Sequence, residues 1–319
     1  MISRVMAEET AGRHTARISN GVWPARNITL SRYQVAMIAV GLGLVAFAVY
    51  WYLGPQNTVA VQYVNQANAF LHGRLDIVPE YAKNFNLIEK ACLKVENDHC
   101  TPDSKVYITH APVPALILVP GVLLFGLAIN ATLVSVFLGA MTAPVVFGVA
   151  RRLTDRISVQ VWLTVLFMFG TIFWYAASHG GVWFFAHTVG VFFLFLAIWA
   201  TLGPKNPLLA GIFVGAAYLS RSSMIMSVPF FLIMFSDQWV HWDKDRPLMQ
   251  RVNLAPLVQL ASGVSVFLVA SFLYNYLRFE NPLDSGYYHS EQMKQAALAS
   301  VYNHGPFHYS YVERHIPPT

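Results

Sequence analysis

The stretch PQNTVAVQYVNQANAFLHGRLDIVPEYAKNFNLIEKACLKVENDHCTPDSKVYITH, residues 55–110, decides the fold. It is the longest polar stretch of the chain and lies between hydrophobic segments too long to be ordinary core helices. Six acids (Asp76, Glu80, Glu89, Glu96, Asp98, Asp103), five bases (Arg74, Lys83, Lys90, Lys94, Lys105) and both cysteines fall inside it. A polar insert of this kind reads as a lumenal or periplasmic loop on a membrane protein, and as the place for any chemistry.

The rest of the chain supports the membrane class. Of 319 residues, 55% are hydrophobic and 12% charged, against about 25% charged in soluble domains. A helix needs about 20 apolar residues to cross a bilayer, because unsatisfied backbone groups are costly in lipid, and several windows reach that length. The net charge of +5 does not point to nucleic acid. The bases are scattered or flank hydrophobic segments, where they set orientation.

Residues 1–32 carry five arginines against two glutamates, which places this tail in the cytoplasm by the positive-inside rule. About thirty polar residues precede the first apolar segment and no cleavage pattern follows it, so it is expected to remain as an anchor rather than be removed as a signal peptide. The first span is expected over Tyr33 to Leu53, closed by the interfacial cluster Tyr50, Trp51 and Tyr52. The polar loop is then outside. Within it, Val59 to Leu71 sets Val59, Tyr63, Ala67, Phe70 and Leu71 on one stripe, as in an amphipathic helix lying on the membrane surface, with Gly73 ending it. Cys92 and Cys100 lie on the external side, where a disulfide persists; two unpaired thiols are the alternative.

Residues 111–129 are apolar but carry Pro112, Pro114, Pro120 and Gly121, which favours a bent or re-entrant segment over a straight span. If this piece does not cross, 131–150 is the second span and delivers Arg151, Arg152 and Arg156 to the cytoplasm. The remaining spans are expected at 157–176, 182–202, 207–219, 224–235 and 254–273, seven in all. The outline is an all-α membrane module over residues 33–274 with an external C-terminal tail over 275–319.

Arg221 is a lone base among apolar helices at the outer tip of a span pair. Such a residue is a functional candidate by default, the alternative being a side chain that snorkels to the interface. Asp76 and Glu80 are the acids nearest the surface helix and candidates for a general base, although solvated loop charges look the same. His110 and His179 could bind phosphate or share a divalent metal, but their spacing matches no metal motif. Tyr287 and the other tail tyrosines, Tyr288, Tyr302, Tyr309 and Tyr311, could stack on a sugar or form an interfacial belt.

Several stretches together resemble the membrane glycosyltransferases of the C-type fold, the superfamily of protein O-mannosyltransferases and aminoarabinose transferases. They are AFLHGRLD at 69–76, YITHAPVPAL at 107–116, RRL at 151–153, GAAYLSR at 215–221 and YNYLRFENPLDSGY at 274–287. The resemblance implies seven spans, a large first external loop with surface helices, and transfer of a sugar from a polyprenyl-phosphate donor to a lipid, glycan or protein acceptor. It places the protein in a bacterial inner (plasma) membrane with its long loop and C-terminus outside. Its partners would be membrane lipids and the polyprenyl-linked sugar, with other membrane proteins as a further option. Arg221 would correspond to the basic residue that relatives hold near the donor phosphate.

Where relatives carry an aspartate at the start of the first external loop, this chain has Gln56-Asn57-Thr58, and where many have a second acid it has Ser178-His179-Gly180-Gly181. Amides and hydroxyls are not carboxylate bases. Either Asp76 or Glu80 takes that role, or the chain keeps the fold as a non-catalytic accessory subunit.

Overall fold

A computed structural model describes residues 30–78, 90–92, 95–96, 99–100, 104–240 and 252–289. The expectations for Glu80, for the N-terminal tail and for Tyr302, Tyr309 and Tyr311 lie outside these residues.

The chain is a mainly helical, membrane-embedded protein. Among the described residues four helices are long and apolar enough to cross a bilayer: α1 (Arg32–Leu53), α4 (Ala131–Leu153), α7 (Val182–Leu202) and α11 (Ala255–Phe279). A fifth candidate is the pair α5 (Ile157–Gly170) and α6 (Phe173–His179), bent by 57°. Three shorter apolar pieces complete the bundle. They are α3 (Val113–Phe125) with a 3-10 turn at Gly126–Ala128, α8 (Pro207–Tyr218), and a 3-10 turn Ser222–Ser227 running into α9 (Val228–Met234). A further short helix, α10 (Ser236–Trp239), follows α9.

Capping follows the residue types at the boundaries. Ser31 and Gln34 close a capping box at the start of α1, while Asn130 and Asn206 cap α4 and α8 through their side-chain oxygens. The break between α5 and α6 falls at Thr171. Its hydroxyl donates back to the Phe167 carbonyl and accepts from the Phe173 amide, so the local hydrogen bonds favour a bend. The span expected over 157–176 is this bent pair.

The neutral residues Gln56, Asn57 and Thr58, between α1 and α2, are stitched to the start of α4. Thr58 donates to the Ile129 carbonyl at 2.8 Å, Thr132 donates to the Asn57 carbonyl at 2.7 Å, and Asn130 donates to the Gln56 carbonyl at 3.0 Å. The start of α3 bonds elsewhere, the Val113 amide donating to the Leu219 carbonyl at 3.2 Å. Pro120 lies inside α3, which runs through it as one helix of thirteen residues.

The helix α2 (Val61–Leu71) differs from the surface helix the sequence suggests. Tyr63 and Ala67 of its apolar stripe are buried while Leu71 is exposed, and Gln62, Asn65 and Gln66 on the polar side are buried as well. α3 covers it, Tyr63, Val64 and Ala67 joining Val113, Leu118 and Val122 in one core cluster. A polar face can be buried in this way when partners for the amides are close by. Beyond α2, strand β1 (Lys90–Cys92) pairs antiparallel with β4 (Val106–Ile108), and β2 (Val95–Glu96) with β3 (His99–Cys100). Cys92 is buried and disulfide-bonded, and Cys100 is the other cysteine of the chain.

Close backbone approach sets the packing of α8 on α11. A Cβ at Gly263 would lie 2.6 Å from the Leu208 carbonyl oxygen and 2.7 Å from the Ile212 nitrogen. Small residues that let helix backbones meet are a main source of association in lipid. Gly263→Ala is expected to destabilise the detergent-solubilised protein by about 1–3 kcal/mol. Gly41→Ala, where a Cβ meets nothing within 4 Å, is expected to be neutral. Equal melting midpoints for the two variants would refute the close approach.

Candidate functional site

Arg221 owes its position to the way α8 ends. Ser220 is buried and its hydroxyl donates to the Ala216 carbonyl at 2.8 Å, while the Arg221 amide donates to the Ala217 carbonyl at 2.9 Å. Arg221 itself is extended, with φ −151° and ψ 113°, so its side chain leaves the helix axis sideways. Its guanidinium carbon stands 5.0 Å from the centroid of the Trp183 ring, in the first turn of α7. A cation over indole gains electrostatic stabilisation while its N–H edges stay open to a ligand. Among the described residues no carboxylate pairs with Arg221.

His110 faces the same indole at 6.1 Å between ring centroids and the Tyr63 ring at 5.7 Å. It sits two residues past β4, just before the proline that opens α3, and is 5% exposed. Among the described residues its Nε2 has no hydrogen-bond partner, and neither has Oε1 of the buried Gln66. Burial, and second the charge of Arg221, push the His110 pKa down to about 4, so the ring is neutral at physiological pH.

The amide nitrogen of Gln66 donates to the Tyr274 hydroxyl at 2.7 Å and reaches the His110 carbonyl at 3.5 Å. Tyr287 completes this side. Its hydroxyl bonds with Thr109, and burial raises its pKa while Arg221 opposes the rise. His187, one turn along α7 from Trp183, is also within the reach of the Arg221 charge.

Of the residues singled out from sequence, Arg221, His110 and Tyr287 are thus brought together. His179 takes a different place at the end of α6. Its Nδ1 accepts the Gly181 amide at 3.2 Å, and its ring packs on Tyr175 and Phe184. Asp76 is held by Arg74, whose Nη2 donates to Oδ2 at 2.6 Å. That hydrogen bond is the main reason the Asp76 carboxyl lies below its usual range. The charges felt at Asp76 are those of Arg74 and Lys105, not Arg221. Glu80 is outside the described residues. Among the described residues no three His, Cys, Asp or Glu side chains gather as a metal site would require.

Trp183, Tyr63, Gln66, Tyr274 and His187 were not singled out from the sequence. Trp183 carried the clearest signal, because it opens an apolar helix just after the short turn that follows His179. Gln66 gave no such signal, because an amide off the apolar stripe of a helix ordinarily faces solvent. Comparison with known families, curated proteins and solved structures finds no match to this chain.

The arrangement suits a phosphate or another anion at the end of an apolar bundle. One cation is open on its donor edges, the neighbouring imidazole is neutral, and tyrosine and amide groups surround them.

The buried imidazole also predicts an acid-labile site. The unfolded chain takes up this proton near pH 6.5, whereas the folded chain resists it down to about 4. Stability from this group is therefore full above 6.5 and falls as the pH drops through that window, by an amount on the order of 2–3 kcal/mol. His110→Gln is expected to flatten the melting midpoint between pH 6.5 and 4. A wild-type slope in that variant would assign the acid transition to another group.

Proposed function

We propose that this chain is a glycosyltransferase-like membrane protein that receives a polyprenyl-phosphate-linked sugar at Arg221 and passes the sugar to a lipid, glycan or protein acceptor on the outer face. The observation that carries this reading is the guanidinium of Arg221 on the Trp183 ring, free of acids among the described residues and beside a buried neutral imidazole. In this reading α1, α4, the α5–α6 pair, α7, α8, the 3-10/α9 unit and α11 make seven passes of a bacterial inner membrane. The N-terminus is then cytoplasmic, and α2, the strands and α3 form the outer cap.

The chemistry is a displacement at the anomeric carbon. The acceptor hydroxyl forms the new C–O bond, and the bond to the phosphate oxygen breaks with its electron pair leaving on the phosphate. Arg221 stabilises the departing charge, and a carboxylate takes the acceptor proton. Asp76 is ionised and partly exposed, so it can take that proton if the acceptor enters beside Arg74.

One observation favours a second reading, an accessory subunit that binds the lipid phosphate without turnover. Asp76 is engaged by Arg74, and among the described residues no carboxylate pairs with Arg221. Transfer assays with a panel of polyprenyl-phosphate sugars separate the two. Arg221→Ala is expected to lower turnover about 100-fold or more, and Asp76→Asn a similar amount if it is the base. Arg221→Lys should retain part of the activity, since the charge remains but the fork is lost. Retention of polyprenyl phosphate by the native chain, lost in Arg221→Ala, with no transfer from any donor, would identify the accessory subunit. Undiminished transfer by Arg221→Ala would end the shared-site idea.

A further inference from the structure

At the opposite end of the bundle lies a second basic site that the glycosyl-transfer reading does not use. A cavity of about 310 Å³ opens between the C-terminal ends of α4 and α7, lined by Gly148, Arg151, Arg152 and Trp199. Trp199 is sixteen residues along α7 from Trp183, so the two sites stand about 24 Å apart at the helical rise of 1.5 Å per residue. That separation is close to the thickness of a bilayer's hydrocarbon core, and each site therefore falls at one interface.

The cavity is built from features with separate causes. Gly148 forms its floor, since a Cβ there would reach only van der Waals contact with the Trp199 ring, 3.6 Å from Cδ1. Arg152 leans on the last turn of α7, where a Cβ at Gly203 would meet its Nη2 at 3.4 Å. Arg151 and Arg152 are exposed and end α4, whose dipole favours cations there. Among the described residues neither is paired with a carboxylate: the nearby Asp155 makes no salt bridge, and Asp237 is taken by Lys205 at 2.7 Å. Two open guanidinium groups, an indole at the depth of the headgroups and a volume within the range of small-ligand pockets suit one kind of occupant.

We propose that this cavity binds the headgroup of an anionic phospholipid. Arg151 and Arg152 pair with its phosphodiester, and Trp199 lies along its glycerol backbone. The site requires only that the bundle sits in a membrane, so it stands or falls separately from sugar transfer.

The test uses the full chain, delipidated in detergent and offered phosphatidylglycerol and phosphatidylcholine of identical acyl chains in equal amounts, with bound lipid counted by native mass spectrometry. The expected result is retention of phosphatidylglycerol over phosphatidylcholine by about tenfold, as two interfacial arginines would give. Arg151→Ala/Arg152→Ala, which touches only exposed side chains, should bring that ratio close to one. Gly148→Leu keeps both charges but fills the cavity, and should lower it several-fold. Equal retention of the two lipids by the native chain would overturn the proposal, as would an unchanged ratio in the double variant. A Gly148→Leu protein that elutes normally and keeps the full ratio would reduce the effect to unshaped surface charge, and displacement by inorganic phosphate would make the site one for a free anion.

Discussion

The guanidinium of Arg278 holds together the end of the molecule where Arg221 lies. It is 4% exposed at the last turn of α11, and among the described residues no carboxylate contacts it. Nη1 donates to the Ile108 carbonyl at 2.8 Å, Nη2 to the Asn275 side chain at 2.9 Å, and the cation lies 3.8 Å from the Tyr274 ring centroid. A buried charge is tolerated only with such a full set of partners. Because one partner is the carbonyl that ends β4, the arginine ties α11 to the β1–β4 strand pair. Thr109 and His110 follow that carbonyl directly, so their placement depends on the same contact.

From there the constraint spreads through Tyr274. Its hydroxyl takes the Gln66 amide and its ring packs edge-on against Phe70, which fixes both the polar and the apolar side of α2. Next to this network, His110 and Arg221 divide the charge between them. A second cation beside Arg221 in a site screened from water would repel it, and a neutral imidazole avoids that repulsion. Arg221, half-buried, is then the charged member of its group with His110 and Trp183. The opposite end works differently: Arg151 and Arg152 are exposed, and selectivity there has to come from the shape that Gly148 and Trp199 give the cavity.

Much of this was legible in the sequence. Arg221 was conspicuous because a lone charge between apolar segments is expensive. The roles of Gln62 and Gln66 were hidden, since periodicity assigns an amide opposite an apolar stripe to solvent unless something covers it. α3 covers it here, from nearly fifty residues further along the chain. Asp76 was readable as an acid near the surface helix, but not as the partner of Arg74, two residues before it, because the turn after Gly73 brings the two side chains together.

Hydrophobic length along the chain sufficed for membrane embedding and for most helix boundaries. These are properties of consecutive residues and of the lipid that must accept them. Packing alone could decide that His110, Trp183, Arg221 and Tyr287 meet, and that Asp76 does not join them. These residues come from four separate elements, and their meeting depends on hydrogen bonds such as Arg278 to Ile108 that cross most of the chain.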